Sequence, residues 1–134
     1  MNKSSLILFL FTAITFLGSC TKEDVLDPPN YQNSFIGHWD VLEITGKYRP
    51  QNYSVEIAAG NNIEELLIIG LNDRPNTVIT ANLNGYNFSI PAQHSDSIFF
   101  SGNGVATMSF DQINIDFLVD DGWGVDSISA ILIP

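Results

Sequence analysis

Asn84-Gly85 lies between TVITANL and YNFSI, two runs in which apolar and polar residues alternate. Alternation with a period of two puts successive side chains on opposite faces of an extended chain. Asn and Gly are the residues that best tolerate the positive φ angles of a two-residue type I′ turn, so the stretch predicts a β-hairpin turning at 84–85. Its buried face would hold Ile79, Ala81 and Leu83 from one strand with Phe88 and Ile90 from the other.

The same grammar runs through residues 35–134. No stretch of 11 or more residues there keeps a helical apolar period without a glycine, a proline or a cluster of asparagines breaking it. In FIGHWDVLEIT, Phe35, Gly37, Trp39 and Val41 would share one face, and in YSVEI the inward set is Tyr53, Val55 and Ile57. LLIIGL, 66–71, is apolar on both parities; a short strand covered on both sides and a helical turn within 63–69 both fit it. Further strands are expected at 97–101, 105–110, 113–119 and 128–133, with turns at Gly102-Asn103-Gly104, Asp111-Gln112 and Asp120-Asp121-Gly122. Links this short exclude parallel crossovers, which need about a dozen residues. The expected fold is all-β: an antiparallel meander of about eight short strands closed into a small barrel, with a sandwich as the alternative. Strands of ordinary length enclose little free space, so Trp39, Tyr53, Phe88, Phe110 and Phe117 are expected to fill the interior and leave binding to the rim or the outside.

Ahead of this domain the composition changes. Lys3 is followed by an apolar stretch from Leu6 to Leu17, then Gly18, Ser19 and Cys20, the single cysteine of the chain. The apolar stretch is too short for a permanent bilayer-spanning helix and has the layout of a signal peptide covering 1–19. Residues 20–34, polar, acidic and interrupted by Pro28-Pro29, read as a tether. With one cysteine, no intrachain disulfide can form.

Leu17-Gly18-Ser19-Cys20 resembles the lipobox of bacterial lipoproteins. That resemblance implies that the Cys20 thiol carries a diacylglyceryl group, that the chain is cut just before it, and that the new amino terminus is acylated. Several acyl chains, at about 0.8 kcal/mol per buried CH₂, hold a protein firmly at a membrane. Lys22-Glu23-Asp24 resembles the short charged signal of Bacteroidetes-type lipoproteins, which implies the outer membrane and export to the cell surface. Gly37-His38-Trp39 resembles the G-x-W signature of lipocalins, and NYSVEI, ANLNGYNFSIPAQ, SGNG and the acidic turn before the last strand are similar to small lipocalin-like lipoproteins of that group. In lipocalins the tryptophan closes one barrel end and packs against an arginine near the last strand; residues 128–134 contain none.

Charge and motif content bound the chemistry. A formal charge of −10, with Lys47, Arg49 and Arg74 the only cations beyond Lys3 and Lys22, leaves no basic stripe for a nucleic acid backbone. His94-Ser95-Asp96 has the residue types of a hydrolase triad, but a triad converges from separate segments, so a polar turn is expected. His38 is expected outside, and two histidines with no second thiol make no zinc set. Gly102-x-Gly104 lacks the third glycine and the following helix of a phosphate cradle. Asp116, Asp120, Asp121 and Asp126 around Gly122-Trp123-Gly124 have oxygen ligands for calcium but not the spacing of a known loop, so an acidic hairpin turn is expected, with no metal and no cofactor. A tryptophan at a turn tip either folds back onto the barrel end, the expectation here for Trp123, or stands out as a platform for a sugar or a protein.

The function expected on these grounds is a non-catalytic binding module for a small molecule or glycan, anchored at the outer membrane through Cys20 with Trp123 as its candidate binding residue. The alternative is an accessory lipoprotein docking onto an outer-membrane protein complex. An enzyme would need a converging set of titratable groups, which the sequence does not offer.

Overall fold

The computed structural model describes residues 29–47 and 51–134. The signal-like segment 1–19, Cys20 and the Lys22-Glu23-Asp24 cluster lie outside the described residues. One helical turn, α1 (Gln32–Phe35), precedes eight strands: β1 (Gly37–Thr45), β2 (Gln51–Ala59), β3 (Glu65–Gly70), β4 (Arg74–Asn84), β5 (Asn87–Ser95), β6 (Ile98–Ala106), β7 (Ile113–Asp120) and β8 (Val125–Ile133). Each strand pairs antiparallel with the next, and β8 returns to β1, giving a closed up-and-down barrel of lipocalin-like architecture. Among the described residues closure leaves no open sheet edge to template aggregation.

Alternation decides what faces in. In β1, β2, β4 and β7 every second residue is buried, placing Trp39, Val41, Val55, Ile57, Ile79, Ala81, Leu83, Ile113, Ile115, Phe117 and Val119 in the core. The opposite parity carries mainly Asn, Asp, Ser and Thr, which is the reverse of a membrane-spanning barrel, where the apolar band faces out. Trp39, Phe88 and Phe117 fill the interior as expected, while Tyr53 and Phe110 pack against it from the two ends, partly buried. The ambiguous 66–71 run divides: Leu66 and Ile68 point inward from β3, Leu67 and Ile69 are half-buried on the other face, and Leu71 starts a 3₁₀ turn, Leu71–Asp73.

Three expectations are corrected by backbone geometry. The β4–β5 turn is formed by Gly85-Tyr86, not Asn84-Gly85: Asn84 pairs with Asn87, and Gly85 alone has positive φ, at 63°. Glycine at the first central position is the type II′ arrangement. The pairing moves by two residues, which keeps parity, so Leu83 still faces inward opposite Phe88. A two-residue turn whose central residues both have positive φ lies instead at Asp96-Ser97, between β5 and β6.

Gly102-Asn103-Gly104 is not a turn either, but the middle of β6, so the separate strands expected at 97–101 and 105–110 are one strand ending at Ala106. These glycines serve close approach. A Cβ on Gly104 would sit 2.1 Å from the Phe88 ring opposite it, and one on Gly102 would sit 2.7 Å from the Phe117 Cα on β7. Phe35 belongs to α1 and not to β1, although it is fully buried.

The two barrel ends are closed differently. At the end where the chain enters, the Trp39 indole N–H donates to the Phe35 carbonyl at 2.8 Å, tying α1 to β1. The Gln32 carboxamide pins the helical turn to the β2–β3 loop by donating to the carbonyls of Asn62 at 2.8 Å and Glu65 at 2.7 Å. The opposite end is closed by Leu71 and by a polar contact between Tyr53 and Glu43.

Candidate functional site

Among the described residues the end opposite α1 is a rim made by Gly46-Lys47 after β1, the 3₁₀ turn, Asp96-Ser97 and the β7–β8 turn, 121–124. Beneath it the Tyr53 hydroxyl donates to Glu43 Oε1 at 2.8 Å and accepts the Asn72 N–H at 3.0 Å. Burial, and then the Glu43 carboxylate beside it, push the Tyr53 phenol well above its ordinary pKa, so it remains a donor at neutral pH. Glu43 is buried.

Above this floor stands Trp123. Gly122 and Gly124 on either side have φ of 100° and 109°, in the left-handed region that favours glycine. Two aspartates brace the turn: Asp120 Oδ1 accepts the Gly122 N–H at 2.9 Å, and Asp121 Oδ1 accepts the Trp123 N–H at 3.2 Å. Such side-chain-to-backbone bonds two residues on are how Asp stabilises turns. The indole does not fold back as expected; it is 89% exposed. The physical reason is that the barrel end is already occupied by Leu71, which is fully buried, and by the Tyr53–Glu43 contact.

Trp123 divides the rim into two recesses. One, of about 320 Å³, is lined by Arg74, Asp96, Ser97, Ile98 and Asp121 as well as the indole. The other, of about 30 Å³, has Lys47, Asn72 and Asp126 on its walls. Arg74 Nη2 lies 3.7 Å from Asp121 Oδ2, with both side chains substantially exposed. A pair this long and this wet contributes little, so the guanidinium keeps donors for a ligand. The backbone N–H of Lys47 donates to both Asp126 oxygens, at 3.2 and 3.0 Å, tying the β1–β2 connection to β8. Among the described residues the two cations, Lys47 and Arg74, both lie on this rim. An exposed indole face next to fixed carboxylates and a guanidinium can accept a molecule with one apolar face and several hydroxyls, the surface a sugar ring presents.

The other sequence candidates are not brought together. His94 and Ser95 are neighbours on β5; the imidazole stacks edge-on to Phe99 at 5.5 Å, and Ser95 Oγ accepts the Val78 N–H at 2.8 Å. Asp96 is in the following turn. His38 is exposed on the barrel wall. Asp116 accepts the Ser129 hydroxyl on the outer face, away from Asp120, Asp121 and Asp126, which hold backbone N–H groups of the rim. Among the described residues no three His, Cys, Asp or Glu side chains form a metal-ligating group.

Glu43 is the site residue that sequence reasoning missed. Its signal was parity: it follows Trp39 and Val41 at the inward spacing of β1. No protein-family model, curated protein or solved structure matches the chain.

Proposed function

We propose that the protein is a non-catalytic binding module, lipid-anchored through Cys20 at the outer membrane and exposed at the cell surface, that takes a glycan or other small hydroxylated molecule at the Trp123 rim. The observation that carries this reading is the exposure of Trp123 on a braced turn, beside a recess furnished with Arg74, Asp96 and Asp121. Holding a large aromatic surface in water is unfavourable, and a turn built to keep it there favours a ligand that covers it. The filled barrel supports the same reading, because it directs binding outward. The lipobox-like Leu17-Gly18-Ser19-Cys20 supports the anchor.

Thermal unfolding of the full chain against a panel of soluble oligosaccharides, fatty acids and calcium tests the reading, with Trp123→Ala as the control. A stabilisation by one saccharide class that disappears in Trp123→Ala is the expected result. Stabilisation by fatty acid that persists in that variant would move the site elsewhere.

One observation favours docking onto an outer-membrane protein as a second reading. Leu42 and Ile44 on β1 and Ile133 on β8 are exposed on adjoining strands, with Ile131 paired to Leu42. A side groove of about 450 Å³ reaches from Leu42 and Ile133 to Asn52 and Ser54. Recovery of a stoichiometric membrane protein with the wild-type chain, lost on Leu42→Asp, is the outcome that would favour it.

A further inference from the structure

The end opposite the rim has its own surface character. Aromatic rings run across it in contact: Tyr31 to Tyr86 at 5.0 Å between centroids, Tyr86 to Phe110 at 5.3 Å, and Phe110 to Phe35 at 5.1 Å. Tyr31, Tyr86 and Phe110 are only partly buried. Two loop tips flank this row, with Ile63 57% exposed in the β2–β3 loop and Met108 83% exposed in the β6–β7 loop. A groove of about 520 Å³ joins Ile63 to Tyr31 and to Pro29, where the described chain begins. Both described cations are at the far rim.

From Cys20 to Pro29 the chain can span no more than about 30 Å even when fully extended. A lipid on Cys20 therefore holds this end, from which the tether emerges, within about 30 Å of the bilayer surface. A tether that short raises the effective concentration of membrane seen by the face into the range where a weak contact is occupied. Partly exposed tyrosines with apolar tips beside them are the surface that settles at a membrane–water boundary, rings among the headgroups and polar ends in water.

We propose that this aromatic end face, tipped by Ile63 and Met108, seats in the headgroup layer of the bilayer that holds the Cys20 lipid, so that the barrel stands upright and presents the Trp123 rim to the medium. The proposal rests on the lipid-anchor reading. Glu64 and Asp111 border the face, which selects a zwitterionic surface over an anionic one.

Acylation consumes the one natural thiol, so an introduced cysteine is the only labelling position. Full-length acylated protein carrying Ile63→Cys, Met108→Cys or Trp123→Cys, each labelled with an environment-sensitive fluorophore, is reconstituted into phosphatidylcholine vesicles with brominated acyl chains. Several-fold quenching at 63 and 108 with none at 123 is expected. Acylated, vesicle-bound protein with no quenching at 108, or with equal quenching at 108 and 123, overturns the proposal alone. A chain whose intact mass lacks the acyl groups overturns the anchor reading and the proposal with it.

Discussion

The carboxamide of Gln93 pairs with the backbone of Thr80 as another peptide group would, accepting its N–H at 2.9 Å and donating to its carbonyl at 2.8 Å. The β4–β5 ladder is regular only from Asn82↔Ser89 to the turn, and the register on the other side of β5 shifts between Ile90 and Gln93, at Pro91-Ala92. Proline has no N–H for a ladder and is accommodated in sheets at such bulges. Gln93, with Ser95 on the Val78 N–H, bridges the gap and completes the barrel.

Gln93→Leu removes both bonds and leaves two backbone groups of half-buried Thr80 without partners, at a cost of about 1–3 kcal/mol. Urea unfolding should show a lowered midpoint with an unchanged slope. Amide exchange should quicken at Thr80 ahead of Leu83, whose N–H donates to the Glu64 carbonyl at 2.7 Å and does not involve Gln93.

Gly104→Ala would bring its methyl group into the Phe88 ring that covers the glycine. Overpacking of this kind costs about 1–3 kcal/mol. Phe88→Leu, although destabilising by itself, frees that space, so the double variant should lose less than the sum of the two singles. A double-mutant cycle by denaturant titration measures that coupling.

Tyr53→Phe deprives Glu43 of a hydrogen-bond donor and the Asn72 N–H of an acceptor, costing about 1.5–3 kcal/mol at neutral pH. The alkaline limb carries the second signature. The folded-state pKa of Tyr53 is raised, so its contribution is fully present below the unfolded phenol value of about 10 and is lost as the pH climbs beyond it, where the unfolded chain gives up the proton first. Stability measured from pH 8 upward should fall above about 10 in the wild type and less steeply in Tyr53→Phe.

Much of this architecture was legible in the residues. Alternation in TVITANL and YNFSI identified the inward faces of β4 and β5 even though the turn between them lies one residue later, because that displacement preserves parity. Gly102 and Gly104 were misleading for a physical reason: glycine marks both a turn and a place where another group comes close, and only the partners across the sheet, Phe88 and Phe117, tell the two apart. Pro91 and Gln93 could not be read as a bulge and its bridge without the pairing of β4. Trp123 was visible as a choice between two outcomes, and what decided it was how fully Leu71 and Tyr53 close the barrel beneath, a property of long-range packing. Glu43, in contrast, was readable from its parity with Val41.

The two indoles report directly on where a ligand binds. Trp39 is buried with its N–H on Phe35, a reporter of the interior, and Trp123 stands on the rim. In a two-dimensional ¹H–¹⁵N NMR titration of the full chain with the oligosaccharide panel, a saccharide site at the Trp123 rim predicts that the Trp123 side-chain resonance moves saturably for one saccharide class while that of Trp39 stays in place. Movement of Trp39 with Trp123 unchanged, or no movement of either across the panel, would contradict it.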